Sequence, residues 1–121
     1  MQDADFFLLQ ARISQTMQQK IPCLVAIDGR SGSGKSSLAK KLAGLYDCNI
    51  INVDDFFLQP AQRTSARLAE AGGNVDYQRL QREVLLPILA NKSFSYQPFD
   101  CRQNTFITAK SFPHKALYII E

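Results

Sequence analysis

The run Gly29-Arg30-Ser31-Gly32-Ser33-Gly34-Lys35-Ser36 places glycines, a lysine and a hydroxyl at the spacing G-x-x-x-x-G-K-[ST]. At ordinary residue usage such a match arises by chance in only a few sequences per thousand, on the order of magnitude. Its glycines let the backbone approach a ligand with no Cβ in the way. Successive N–H groups then face inward as an anion-binding concavity, and a following helix adds its positive N-terminal end. Gly29, Ser31, Gly32, Ser33, Gly34, Lys35, Ser36 and Ser37 therefore read as a cradle for nucleotide phosphates. Lys35 would reach the β- and γ-phosphates, and the Ser36 hydroxyl would ligate Mg²⁺. An ordinary Gly/Ser turn needs neither the lysine nor the flanks described below.

A second group of chemistry-bearing residues is Val53-Asp54-Asp55-Phe56-Phe57. An acid at the carboxyl end of a strand beside a phosphate loop can take the proton of an attacking hydroxyl. It can also hold the Mg²⁺ shell through water. Asp54, first after the expected strand, is the candidate for both roles. Asp55 reads as a solvated turn acid or a helix cap.

The elements that must position these residues are legible from periodicity. Cys23 to Asp28 is an apolar run expected to form a buried strand, and Ser37 to Leu45 is expected to form a helix with an apolar face at Leu38, Leu42 and Leu45. Asn49 to Val53 is a second strand, so strand, helix and strand make a crossover with parallel strands under helices. Ahead of it, Phe6, Leu9, Ile13 and Met17 give residues 1–20 an amphipathic helix, which Pro22 ends. A short helix is expected within Ala61 to Ala71 and a longer one over Tyr77 to Ala90, kinked at Pro87. Phe94 to Pro98 and Thr105 to Ala109 alternate as a small antiparallel excursion, and Ala116 to Ile120 is a third buried strand.

The fold class expected is therefore α/β, a P-loop NTPase fold with a helix-covered parallel sheet and a hairpin excursion. Residues 21–121 form its domain. Because a parallel sheet rarely finishes on a central strand, the chain is expected to be the N-terminal part of a longer protein, stopping after its third core strand.

Bulk properties narrow the classes. In 121 residues with 45% hydrophobic and 21% charged content, one soluble globular domain is expected. A net charge of +3 without a dense Lys/Arg block gives no sign of nucleic-acid binding. No apolar run approaches the roughly 20 residues that span a membrane. The acidic start Met1-Gln2-Asp3-Ala4-Asp5 is unlike a secretory signal. Cys23, Cys48 and Cys101 fit neither a metal pattern nor a disulfide framework, and Cys23 reads as a small buried hydrophobe. These features point to the cytoplasm and leave a homo-oligomer open. His114, between Pro113 and Lys115, reads as a surface or strand-entry residue.

With the phosphate loop, Asp54-Asp55-Phe56-Phe57, Asn74-Val75-Asp76, Tyr96-Gln97-Pro98-Phe99-Asp100 and Leu117-Tyr118-Ile119-Ile120-Glu121 in view, the chain resembles the uridine kinase branch of the phosphoribulokinase/uridine kinase family from about residue 21 onward. The resemblance implies ATP- or GTP-dependent phosphorylation of a nucleoside 5′-hydroxyl, with uridine or cytidine as acceptor. It makes Asp54 the catalytic base and Asp76 the acid that binds the ribose hydroxyls. Phe57 and Phe99 would line the nucleoside pocket, and Glu121 would help Ser36 hold Mg²⁺. Residue chemistry agrees, since carboxylates accept from vicinal hydroxyls and rings offer a stacking surface. Asp76 also suits the cap of the helix starting at Tyr77.

Where pyrimidine-specific members often carry a His, this chain reads Cys101-Arg102-Gln103-Asn104, with Asn104 the nearest match, so the base is left open. The family's lid, with its phosphate-closing arginines, would lie beyond Glu121, so this chain alone is expected to be a weak kinase or inactive. Two alternatives remain. One is another small hydroxyl acceptor such as pantothenate or a sugar phosphate. The other is a nucleotide-binding regulatory module that transfers nothing. A sugar phosphate calls for extra cations near Asp76, where the sequence offers Arg79 and Arg82. Arg63 and Arg67 read as solvated helix charges.

Overall fold

The computed structural model describes residues 3–28, 35–71 and 73–121. Its elements in chain order are α1 (Asp3–Gln19), β1 (Cys23–Ala26), α2 (Lys35–Ala43), β2 (Asn49–Ile51), 3-10 turns at Val53–Asp55 and Pro60–Gln62, and α3 (Ser65–Leu68). Then come α4 (Tyr77–Leu80), a π-helical turn at Gln81–Leu85 and α5 (Leu86–Leu89). Five strands follow: β3 (Phe94–Tyr96), β4 (Phe99–Asp100), β5 (Thr105–Phe106), β6 (Lys110–Phe112) and β7 (Leu117–Ile120). The chain divides into two compact units, Met1–Ile51 with Lys115–Glu121, and Asn52–His114.

The first unit holds a three-stranded sheet in the order β1-β7-β2, parallel throughout. Val25 faces Ile119 in register, and Ile119 faces Ile50. The crossover strands are thus parallel as expected, but β7 lies between them. Alternation puts Cys23, Val25, Leu117, Ile119 and Ile50 on one face. Phe6 and Ile13 of α1 and Ala39 and Leu42 of α2 complete the same buried cluster. Cys23 is 5% exposed and acts as the small core hydrophobe its position suggested. The helix after the loop ends at Ala43, so Leu45 is not on its apolar face but 55% exposed in the turn beyond.

The second unit is built from short pieces. The short helix expected within Ala61 to Ala71 is the single turn α3, whose N-cap Thr64 accepts from the Arg67 amide, and the Pro60–Gln62 turn precedes it. Tyr77 to Leu89 is helical throughout, but its middle widens into a π turn. Pro87 has no N–H to offer the Glu83 carbonyl and its ring crowds that oxygen, so the widened turn is where the ladder gives way. The antiparallel excursion forms as two ladders of one hairpin. Thr105–Phe106 pairs with Phe99–Asp100, whereas Phe94–Tyr96 pairs with Lys110–Phe112, a segment the alternation had not marked. Among the described residues no helix is long and apolar enough to cross a membrane.

Candidate active site

On the sheet unit, Gly29, Ser31, Gly32, Ser33 and Gly34 lie outside the described residues. Lys35 and Ser36 open α2, and Ser37 is exposed in its first turn. Strand β1 runs on toward this loop through Ile27, whose amide donates to the Ile120 carbonyl at 2.8 Å. The Glu121 amide donates to the Ile51 carbonyl at 3.0 Å. Glu121 therefore leaves the carboxyl edge of the central strand, between the ends of β1 and β2. Its Oε2 is buried without a hydrogen-bond partner. A buried carboxylate oxygen lacking a donor is costly, and a divalent cation would satisfy it. Among the described residues no group of three or more His, Cys, Asp or Glu could hold a metal. The unpartnered carboxylate oxygen of Glu121 suits Mg²⁺, which is commonly held by one or two carboxylates together with water and substrate phosphates.

On the second unit, three aspartates have three different environments. Asp54, in the Val53–Asp55 turn, is exposed and has no side-chain hydrogen bond or ion pair among the described residues. Asp55 is neither solvated nor a cap. Its side chain is 14% exposed, and its Oδ2 accepts from the Tyr96 hydroxyl at 2.7 Å and the Lys110 ammonium at 2.9 Å. Burial first, and then the Asp55 carboxylate, push the Tyr96 phenol far above its ordinary value, so it stays a donor. Asp76 is buried. Its Oδ1 accepts from the Arg79 amide at 3.2 Å, as the N-cap of α4, and its Oδ2 from the Gln62 amide group at 3.1 Å. The Asp76 amide donates to the Phe56 carbonyl at 2.6 Å, which ties its loop to the acidic turn.

The arginines expected at the surface hold this unit together. Arg67 covers the Tyr77 ring at 3.8 Å and donates to the Val75 carbonyl at 2.8 Å. Arg63 lies over the Phe57 ring at 5.0 Å and donates to the Leu58 carbonyl and to Asn104 Oδ1. Phe57 is half-buried beneath that guanidinium, and Asn104 is exposed in the hairpin turn with φ 51°. Phe99 is 5% exposed, its ring edge-on to Phe106 at 5.2 Å, so it offers a ligand little surface. Arg79, 7% exposed, donates to Glu83 and to the Gln97 carbonyl and lies against the Phe56 and Phe106 rings. The structure thus gathers Asp54, Asp76 and Phe57 in one unit and sets Glu121 in the other. The sequence marked Arg79 only as a cation near Asp76 and gave Tyr96 and Lys110 no role, because the hairpin register that brings the last two together is not written in local periodicity.

A family model described as shikimate kinase matches residues 31–95, more than half of the chain. The chain belongs to the shikimate kinase family. Shikimate kinases of Brucella canis and Brucella suis are 32% identical to it over 77 residues, 64% of this chain and 37% of each relative. That of Brucella abortus is equally similar. The chain therefore spans little more than a third of the length of these curated relatives. A solved structure described as a possible uridine kinase from Bacillus stearothermophilus superposes with a TM-score of 0.67 at 18% identity, covering 93% of this chain and 70% of that one. The likeness establishes the P-loop kinase fold for this shikimate kinase family chain. The narrower uridine kinase branch is not decided by it.

Proposed function

We propose that the chain is the nucleotide-binding and acceptor-binding part of a cytoplasmic P-loop kinase. It would move the γ-phosphoryl group of ATP to a hydroxyl of a small polyhydroxylated acceptor. The observation that carries this reading is the contrast among the aspartates. Asp55 and Asp76 have donors on their carboxylates, while Asp54 is exposed and has none among the described residues. A base must have a lone pair available to an incoming hydroxyl, and Asp54 meets that condition. Its hydrogen-bond acceptance would turn the acceptor oxygen toward phosphorus and take its proton as the new O–P bond forms and the bond from Pγ to the β,γ-bridging oxygen breaks, with ADP as the leaving group. Lys35 and the loop amides take up the charge on the phosphoryl oxygens, and Ser36 and Glu121 would hold Mg²⁺. When bound, Mg²⁺ supplies further neutralisation of the phosphates. The buried Oε2 of Glu121 supports its place in that set.

A nucleoside is the acceptor we favour. The shikimate kinase match ends at residue 95, whereas the likeness to the possible uridine kinase covers 93% of the chain. Phe57, Asn104 and Asp76 would then meet base and ribose, with the Asn104 amide N–H free to donate because Arg63 occupies its oxygen. The family match and the curated relatives favour a second reading, in which the acceptor is shikimate. A phosphorylated sugar is less well served, since Arg79 is spent on Glu83 and Gln97.

The test is Mg-ATP-dependent transfer by the full-length protein to uridine, cytidine, shikimate, pantothenate and sugar phosphates, with Lys35→Ala as the blank. Uridine or cytidine should be turned over; shikimate turnover alone would replace the acceptor and keep the mechanism. Asp54→Asn should lower turnover by about 10²–10⁴-fold and leave Mg-ATP affinity within about twofold. Unchanged turnover in that variant would remove Asp54 as the base.

A further inference from the structure

The free carboxylate of Asp54 sits beside a held one, and the holding is done from the hairpin. Tyr96 and Lys110 face each other in the β3–β6 ladder, so their side chains leave the same face of the hairpin. Both end on one atom, Asp55 Oδ2, at 2.7 and 2.9 Å. The residue after Asp55 is fixed too, because Phe56 is fully buried with its ring 4.7 Å from that of Tyr96. In a 3-10 turn successive side chains are about 120° apart. Asp55 is turned to the hairpin, so the side chain of Asp54, one residue earlier in the same turn, points another way. Among the described residues the turn is closed by two backbone bonds, Asp55 N–H to the Asn52 carbonyl at 3.1 Å and Phe56 N–H to the Val53 carbonyl at 2.9 Å.

We propose that Tyr96 and Lys110 are positioning residues, which clamp Asp55 so that Asp54 is presented outward as a preorganised, unpartnered base. The proposal rests on Asp54 being the base, as set out above. Without the clamp the turn would open, and Asp54 would sample directions in which its lone pairs do not meet the acceptor. A misdirected base lowers the rate of the chemical step without altering nucleotide binding. Register gives the device its sensitivity: a one-residue slip of β6 would turn Lys110 to the other face and break the clamp.

Tyr96→Phe keeps the ring stack and removes only the hydroxyl; Lys110→Met removes the ammonium and keeps the stem. In the full-length protein each should lower kcat about tenfold, with the KM for Mg-ATP within twofold. In an Asp54→Asn background Tyr96→Phe should add less than twofold, since there is no base left to aim. Amide exchange at Asp55 and Phe56 should speed up at least tenfold in Tyr96→Phe, while the β1 and β7 amides stay as they were. If the Tyr96 and Asp54 effects multiply, or if exchange in the turn is unchanged, the clamp is overturned and Asp54 remains the base. If Asp54→Asn keeps its turnover, the assignment of the base falls first and the clamp with it.

Discussion

In the sheet unit, β1, β7 and β2 are joined by parallel backbone ladders and covered by α1 and α2 through a cluster of apolar side chains. In Asn52–His114 the pieces other than the helical run from Tyr77 to Leu89 are short, and charged side chains do much of the joining. Arg63 ties a loop to the hairpin turn, Arg67 ties α3 to the Asn74–Asp76 loop, and Arg79 ties α4 to the hairpin. The difference is one of information. A ladder with an apolar face is specified by a short repeating pattern, whereas an arginine that reaches several backbone carbonyls is specified only by the finished arrangement. On the proposed function, phosphate binding draws on the first kind of construction and acceptor binding on the second.

The largest effect should come from removing the guanidinium that joins most pieces. Arg79→Met is expected to cost about 3 kcal/mol, because the Glu83 carboxylate and the Gln97 carbonyl lose their donors in a mostly dehydrated site. Leu42→Ala, at a fully buried position of α2, should cost about the same through a cavity. The two should part company in hydrogen exchange. Arg79→Met should expose the hairpin and the Val53–Asp55 turn, and Leu42→Ala should expose β1 and β7. A loss under about 0.5 kcal/mol for Arg79→Met in chemical denaturation would mean that Asn52–His114 rests on its aromatic contacts instead.

Gly73→Ala sharpens the same contrast at a smaller magnitude. A Cβ at Gly73 would stand 2.1 Å from the Arg67 carbonyl oxygen and 2.9 Å from that of Glu70, both backbone atoms with no rotamer to yield. The α3 turn and the Asn74–Asp76 loop would have to separate, at a cost of about 2 kcal/mol. Asp76 would move with its loop, so turnover should fall along with thermal stability. Stability loss with unchanged acceptor KM would detach Asp76 from the acceptor.

How much of this was legible beforehand follows the same division. Spacing alone located the Lys35-Ser36 pair, the core face through Leu42, the strands and the burial of Cys23. Even there, the place of β7 between β1 and β2 needed long-range pairing that periodicity does not carry. In the second unit the positions of Asp54 and Asp76 were marked by their place after a strand and before a helix. The environments of Asp55, Arg63 and Arg67 were misjudged, since a charged residue in a polar stretch looks solvated until its partners are known. Lys110 shows why: its partner Asp55 is 55 residues away, and only the hairpin register joins them.

The three free cysteines allow the comparison to be read in the unaltered protein, through the smallest effect considered. Cys101 is exposed at the hairpin tip, Cys48 is half-buried before β2, and Cys23 is buried in β1. Burial pushes the Cys23 thiol up. Burial also raises Cys48, with Lys115 pulling it back down and Asp47 raising it again. A raised thiol carries less thiolate at a given pH and reacts more slowly. With a disulfide reagent near pH 8, Cys101 should therefore react first. Cys48 should follow about tenfold more slowly, and Cys23 should react only as fast as the sheet opens. Lys115, whose ammonium is 2.7 Å from Asp47, provides the control. Lys115→Met removes the one influence that lowers Cys48 and should slow that thiol further, leaving Cys101 unchanged. Equal rates for Cys23 and Cys101 would mean that the sheet opens as readily as the hairpin tip, and the contrast between a pattern-built core and a side-chain-built one would fail at its simplest point.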